Sequence, residues 1–276
     1  MRRKCLTLAL CVMFLCTVSP ARAEAAPFGY QTVVNKEHRL AKEYVPADLV
    51  PLTDYMNARE GTMLDRTAAE ALREMVSAMA GIADVYGRSG YRSYATQAGL
   101  HANLVRYYRE DCGCDQATAY ARASRSVAPP GTSEHQTGYA VDLTTSENGH
   151  QLIQNFEDTR AGKWLCLHAW EYGFVLRYPK GMSDVTGIIY EPWHFRYVGR
   201  IHAWYLHHSG LCLEEYAARI DAGGVRWRHR DMRYEVTAGK PGLGTTLTEC
   251  ALYTDGGTVY TTVCAMPARG TLWPLQ

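Results

Sequence analysis

Blocks of lysine or arginine are missing from this 276-residue sequence, and its 29 basic side chains are nearly balanced by 28 acidic ones. A formal charge of +1 creates no field that would gather nucleic acid, so no nucleic-acid partner is expected. Internal repeats and low-complexity stretches are likewise lacking. After the first residues no segment is apolar enough to cross a membrane. A second cysteine pair that could join Cys112 and Cys114 is also absent, which favours a loop with thiols or disulfides over a zinc ribbon. What remains, with 47% hydrophobic residues, has the composition of an ordinary soluble globular protein of one domain plus appendages.

The beginning of the chain carries an address. Arg2, Arg3 and Lys4 precede an apolar run from Cys5 to Val18, and Ala21-Arg22-Ala23 places small residues where a signal peptidase reads them. Residues 1–23 are therefore expected to be a signal peptide, cleaved after Ala23. The alternative is a membrane anchor, but the run is shorter than the about 20 residues needed to span a bilayer. Cys11 and Cys16 each follow a leucine, where a lipoprotein signal needs a small residue. The expected location is the cell envelope or the extracellular space, with no membrane span after cleavage.

Three of the nine cysteines fall in the signal, leaving six in an oxidising compartment that permits disulfides. Cys250 and Cys264 flank a hairpin turn at Asp255-Gly256-Gly257, so they are expected nearly opposite each other and bridged. Cys166 and Cys212 fall on apolar helix faces, where burial as thiols and a mutual bridge are both open.

Residues 24–62 read as an extended segment, with Tyr44-Val45-Pro46 and Leu49-Val50-Pro51 draped over the domain that follows. From Asp65 to Tyr86 apolar residues recur at helical spacing, with Asp65 and Thr67 as cap candidates. Further helices are predicted over 95–110, 116–126, 161–172, 200–208 and 213–220, and strands over 139–143, 173–177 and 194–198. Helices flanking a small antiparallel sheet make residues 63–220 an α+β domain. Residues 221–276 read as a small β appendage. Arg226, Arg228 and Arg230 share one face of its first strand, either a solvated face or a contact for anionic wall polymer. His202, His207 and His208 share a predicted helix and read as partly exposed surface groups rather than a metal cluster.

Two stretches carry ligand-type residues. Ser133-Glu134-His135-Gln136-Thr137-Gly138-Tyr139-Ala140-Val141-Asp142 holds an imidazole and a carboxylate seven positions apart, and Glu191-Pro192-Trp193-His194 a carboxylate and an imidazole three apart. In a straight strand the odd spacing would point His135 and Asp142 to opposite faces, so the chain must bend between them, and Gly138 permits it. Pro192 biases Glu191 away from helix, so the second stretch is a turn or strand entry. Two histidines and one aspartate make a three-ligand zinc site with the fourth position open to water, the arrangement of catalytic zinc. Zinc can lower the pKa of that water from about 15.7 to about 7. Glu191, beside a ligand and not needed as one, could take the water's proton and pass it to a leaving amine.

The wording S-x-H-x-x-G-x-A-x-D followed by E-P-W-H-F-R-Y-V-G resembles the VanY-type D-alanyl-D-alanine carboxypeptidases, a zinc family that trims bacterial peptidoglycan stem peptides. Val34-Asn35-Lys36, Tyr44-Val45-Pro46, Ser89-Gly90-Tyr91-Arg92-Ser93 with Gln97, and Leu176-Arg177-Tyr178-Pro179 extend the likeness over about residues 33–210. The resemblance implies a hedgehog/D,D-peptidase-like fold for residues 63–220. It also implies one zinc ion on His135, Asp142 and His194, with Glu191 as general base and acid. Arg92 matches the arginine that faces substrate and could stabilise the oxyanion. Ser133, Gln97 and Tyr178 match positions lining the substrate pocket, with turn-capping by Ser133 and packing by Tyr178 as the competing readings. Trp193 is either a pocket wall or a core aromatic.

The implied function is an exported, monomeric zinc carboxypeptidase that removes the C-terminal D-alanine of peptidoglycan stem peptides by zinc-hydroxide attack. The alternatives are an L,D-carboxypeptidase or D,D-dipeptidase of the same family, and, in another class, a non-catalytic zinc-containing wall-binding protein.

Overall fold

A computed structural model of the chain describes residues 32–229, 232–238, 249–255 and 258–267. The expected signal peptide lies outside them. The architecture centres on a four-stranded antiparallel sheet of order β3-β4-β6-β5, formed by Tyr86–Ser89, Ala140–Thr144, His194–Tyr197 and Phe174–Leu176. Strand β4 lies inside this sheet and every one of its residues is buried. Its alternation sends Val141 and Leu143 into the main hydrophobic core, and leaves Ala140, Asp142 and Thr144 on the other face.

Helix α1 (Arg66–Ala78) closes the core side. The Asp65 carboxylate caps it by accepting from the Thr67 amide, a contact that stabilises a helix by about 1 kcal/mol. Ala68, Leu72, Met75 and Met79 are buried as the spacing predicts, and each large apolar side chain so placed contributes about 1.5–3 kcal/mol. The predicted continuation to Tyr86 is not observed. Met79 closes the helix, and residues 79–85 turn so that Tyr86–Ser89 can pair with β4, a strand that the short polar run Gly-Arg-Ser concealed.

Residues 49–65 are integral to the core rather than draped over it. Strand β1 (Leu49–Pro51) pairs antiparallel with β2 (Met63–Asp65), and Val50, Leu52, Met56 and Leu64 are buried in the main cluster. Helices α2 (Tyr94–Glu110) and α3 (Gln116–Ser124) pack against each other around Val105, Ala119 and Ala123. They are capped by Ser93 and Asp115, whose side chains accept from the amides of Thr96 and Thr118. Helix α4 (Arg160–His168) leads through a 3-10 turn to β5, and a short helix α5 (Ser183–Thr186) precedes the second ligand motif.

Helices α6 (Arg200–Ser209) and α7 (Leu213–Asp221) form a second core with Val33, Val198, Val225, Trp227 and Val236. Through it the domain joins a separate antiparallel sheet of order β7-β8-β10-β9, from Val225–His229, Met232–Ala238, Thr258–Pro267 and Glu249–Asp255. His202 departs from its predicted exposed position. It is buried with its Nδ1 2.6 Å from the Tyr216 hydroxyl, while His207 and His208 are exposed and stack on Trp170 and Trp204.

The predicted hairpin between Cys250 and Cys264 forms, but its register differs from the expected facing pair. Cys250 lies opposite Val263 and Cys264 opposite Glu249 rather than opposite each other. Their side chains lie outside the described residues. Cys112, Cys114, Cys166 and Cys212 are free thiols. Of the arginine stripe, Arg226 is exposed in a register facing Glu235, and Arg230 lies outside the described residues.

Candidate active site and metal centre

The bend required between His135 and Asp142 is made by a 3-10 turn over Glu134–Thr137 that ends at Gly138 with φ of 76°. That left-handed conformation favours glycine. A Cβ there would also press within 3.1 Å of Leu49, 3.2 Å of Pro46 and 3.3 Å of the Asp65 backbone nitrogen. His135 sits in the turn, the chain reverses, and Asp142 arrives from within β4. Across the sheet Asp142 stands in direct register with His194, the first residue of β6. Pro192 sits in the turn before that strand, which brings Glu191 back beside His194.

The three side chains converge. His135 Nε2 is 3.2 Å from Asp142 Oδ2, and His194 Nδ1 is 3.1 Å from Asp142 Oδ1. One ligand atom from each lies within 4.8 Å of the others, and all three residues are buried. The two imidazoles meet at right angles, 89° between planes with centroids 4.9 Å apart. A divalent metal fits this set. Despite these close contacts, His135 Nε2 and Asp142 Oδ1 are buried and find no hydrogen bond of good geometry among the described residues, an arrangement that is costly unless a cation completes it.

Outer contacts fix the rings. His135 Nδ1 donates to the Gly90 carbonyl at 2.6 Å, which leaves Nε2 as the ligand atom. His194 Nε2 faces Glu134 Oε2 at 3.7 Å, an electrostatic contact longer than a hydrogen bond. Glu134 is wholly buried and held by two arginines, accepting from Arg177 Nε at 2.7 Å and lying 2.8 Å from Arg196 Nη1. Arg177 in turn forks onto Glu214 at 2.6 and 2.8 Å. Neither Glu134 nor this arginine pair was singled out by sequence reasoning. A hint lay in Arg177, which directly follows the apolar strand Phe174–Leu176, and in Arg196 between Phe195 and Tyr197, where a buried charge must be paired.

Electrostatics separate the roles. Burial would raise the Asp142 carboxyl, yet the two histidines hold it well below the ordinary carboxylate range. His135 is pushed down to about 4 by burial and by the charge of Arg92. Burial opposes protonation of His194 too, but Asp142 and Glu134 outweigh it and lift the group to about 9. Glu191 lies with Oε2 3.8 Å from His194 Nδ1, the nitrogen that faces Asp142. Burial, with Asp142 adding to it, pushes Glu191 up to about 8, while His194 and Arg92 oppose that rise. It is a carboxyl poised between proton acceptor and donor.

Arg92 donates its backbone amide to the His135 carbonyl at 3.1 Å, and its buried Nε has no protein partner among the described residues. Gln97 is buried in α2, with Nε2 donating to the Ala128 carbonyl at 2.6 Å and Oε1 buried without a partner among the described residues. Ser133 is buried at the start of the 3-10 turn but makes no side-chain cap bond, so capping is not what holds it there. Tyr178 packs its ring 4.8 Å from that of His194 and under the Arg177 guanidinium. Trp193 is partly buried against the main core.

The VanY D-alanyl-D-alanine carboxypeptidase family model matches residues 61–200, just over half of the chain and the segment that carries His135, Asp142, His194, Glu191 and Arg92. The chain belongs to the VanY family. Among relatives of this VanY-family chain, the bifunctional D-Ala-D-Ala dipeptidase and D-Ala-D-Ala carboxypeptidase VanXYC of Enterococcus gallinarum is 34% identical over 188 residues. That alignment covers 67% of this chain and 91% of the relative. A solved D,D-pentapeptidase VanY in complex with Zn(II) is 32% identical with a TM-score of 0.58, covering 68% of this chain and 98% of that one. The LD-carboxypeptidase LdcB is 38% identical with a TM-score of 0.60, covering 67% and 84%. The expected α+β fold and family assignment agree with these likenesses, and the expected metal agrees with the Zn(II) relative and with the buried donor set here.

Proposed function

We propose that this VanY-family protein is an exported zinc carboxypeptidase that removes the C-terminal D-alanine from peptidoglycan stem peptides. The observation that carries this reading is a buried His-Asp-His donor set with a further carboxyl, Glu191, against the same His194 nitrogen and not needed to complete that set. Export rests on the basic start, apolar run and small-residue cleavage site. Among the described residues no helix is long and apolar enough to cross a membrane.

His135, Asp142 and His194 would hold a zinc ion, which would supply Lewis acidity toward a water molecule and the scissile carbonyl. Glu191 takes the proton of the attacking water on its carboxylate and returns it to the amine nitrogen as the peptide bond breaks. A dication held by the three ligands would favour the Glu191 carboxylate and so oppose the burial that raises it. The Arg92 guanidinium, whose charge reaches both His135 and Glu191, stabilises the negative oxygen that develops on the carbonyl. Gln97 Oε1 and Ser133 are available to the peptide's amides and terminal carboxylate, and Tyr178 and Trp193 serve as walls.

The likeness to LdcB favours a second reading, an L,D-carboxypeptidase with the same chemistry and a differently shaped pocket. The name of VanXYC adds a D,D-dipeptidase. A wall-binding protein without turnover has no chemical need for Glu191. Product analysis by mass on defined stem peptides, with and without a chelator, separates these readings. Chelator-sensitive loss of one alanine from pentapeptides supports the proposal. Activity confined to tetrapeptides transfers the assignment to L,D, release of alanine only from the free dipeptide transfers it to the dipeptidase, and no hydrolysis leaves the binding protein.

A further inference from the structure

Tyr178, whose ring packs on His194, also lines a cavity of about 250 Å³ bounded by the segment 34–39, by the end of α3, by residues 128–132 and by residues 186–188. The cavity's charge is one-sided. Lys36, Arg39 and Arg125 line it, and none of its described lining residues is an aspartate or glutamate. No ion pair among the described residues engages any of these three cations, although Arg39 donates to the Pro130 carbonyl at 3.1 Å.

The wall is braced. Ser124 lies 3.0 Å from buried His101 Nε2 and donates to the Tyr120 carbonyl, and Thr132 donates to the Pro129 carbonyl at 2.8 Å. Ala128, also in the wall, is held by Gln97. The Ser124 and Thr132 hydroxyls are thus tied to the scaffold, and the lysine and arginines are the charged groups left to meet a ligand. A concave, preorganised site with three cations and apolar patches fits an anionic group carried on a peptide.

We propose that this cavity receives a carboxylate of the stem peptide upstream of the scissile bond, with Lys36 and Arg125 determining specificity for it. The inference rests on the proposed function and names a feature of its substrate. Tyr178 borders both the His194 ring and the cavity, so a peptide whose last bond lies at the metal can extend past Tyr178 into the basic chamber. In stem peptides two groups have the required chemistry: the free α-carboxylate of γ-linked glutamate and the side-chain carboxylate of diaminopimelate. Because Lys36 and Arg125 are exposed, each contact contributes modestly and is screened by salt.

The test uses the full zinc-loaded chain and matched pentapeptides, with either carboxylate free or converted to its carboxamide. For the wild type, amidation of the recognised carboxylate should raise KM by roughly 3- to 10-fold at low salt with little change in kcat. Which amide has the effect identifies the source. In the double variant Lys36→Gln, Arg125→Gln, KM for the free acid should rise to that of the amide and the two peptides should become equivalent. Equal KM for acid and amide in the wild type at both positions overturns the proposal. So does an acid preference that survives in the double variant. Absence of hydrolysis for every peptide by the wild type would instead remove the proposed function itself.

Discussion

Gly90 and His135, 45 positions apart in the chain, are joined by a 2.6 Å hydrogen bond from the imidazole Nδ1 to the glycine carbonyl. A carbonyl can only accept, so the ring is fixed in the tautomer that turns Nε2 toward Asp142 and His194. Only glycine fits there: a Cβ would lie 2.2 Å from the Met63 carbonyl oxygen, a backbone atom of β2 that cannot swing aside. The Gly90→Ala variant should therefore shift this carbonyl and weaken zinc affinity by about 10- to 100-fold, as loss of outer-sphere support does elsewhere. Competition titration with a metal indicator checks this, and unchanged affinity would remove Gly90 from the site.

Glu191 is separable from the metal. Replacing it in Glu191→Ala should leave stoichiometric zinc, measured by elemental analysis, while kcat on a pentapeptide falls by about 10²- to 10⁴-fold or more. Retained turnover would refute the proton-transfer role.

The Glu134 carboxylate balances two buried guanidinium groups and faces His194. Removing it in Glu134→Ala should cost about 3–5 kcal/mol of stability, because Arg196 and Arg177 would remain charged in the interior. Urea unfolding of the metal-free protein measures this. A loss below about 1 kcal/mol would mean that solvent reaches the arginines.

Buried His202 predicts a pH dependence distant from the metal. Burial pushes its pKa down to about 3 from the ordinary 6.5, so the folded chain refuses a proton that the unfolded chain accepts. This contribution is fully present above pH about 6.5 and is lost as pH falls toward 3, by about 1.4 kcal/mol per unit. Between pH 7 and 5 the wild type should lose about 2 kcal/mol more stability than His202→Gln, which cannot titrate. Parallel urea midpoints for the two proteins would contradict it.

Much of the site was legible in the chain because its residues lie in short motifs. His135, Gly138 and Asp142 occupy one turn and strand, and Glu191 to His194 another, so spacing alone required a bend at Gly138 and a non-helical entry at Pro192. Helix α1 and its Asp65 cap were legible too, since apolar period and capping chemistry are local. Strand β3 was not, because Gly87-Arg88-Ser89 has no strand-like alternation and its pairing depends on β4.

The sequence by itself determined the inventory: which donors exist, how far apart they stand, where the backbone must turn, and the family to which these motifs belong. Tertiary structure decided what the inventory becomes. The register of β4 on β6 sets Asp142 against His194, and the approach of Gly90 to β2 aims His135. Burial makes Glu134 the counterion of two arginines and separates the proton affinities of Asp142, His194 and Glu191. Those are consequences of desolvation and of contacts between residues remote in the chain, and no local pattern of side chains encodes them.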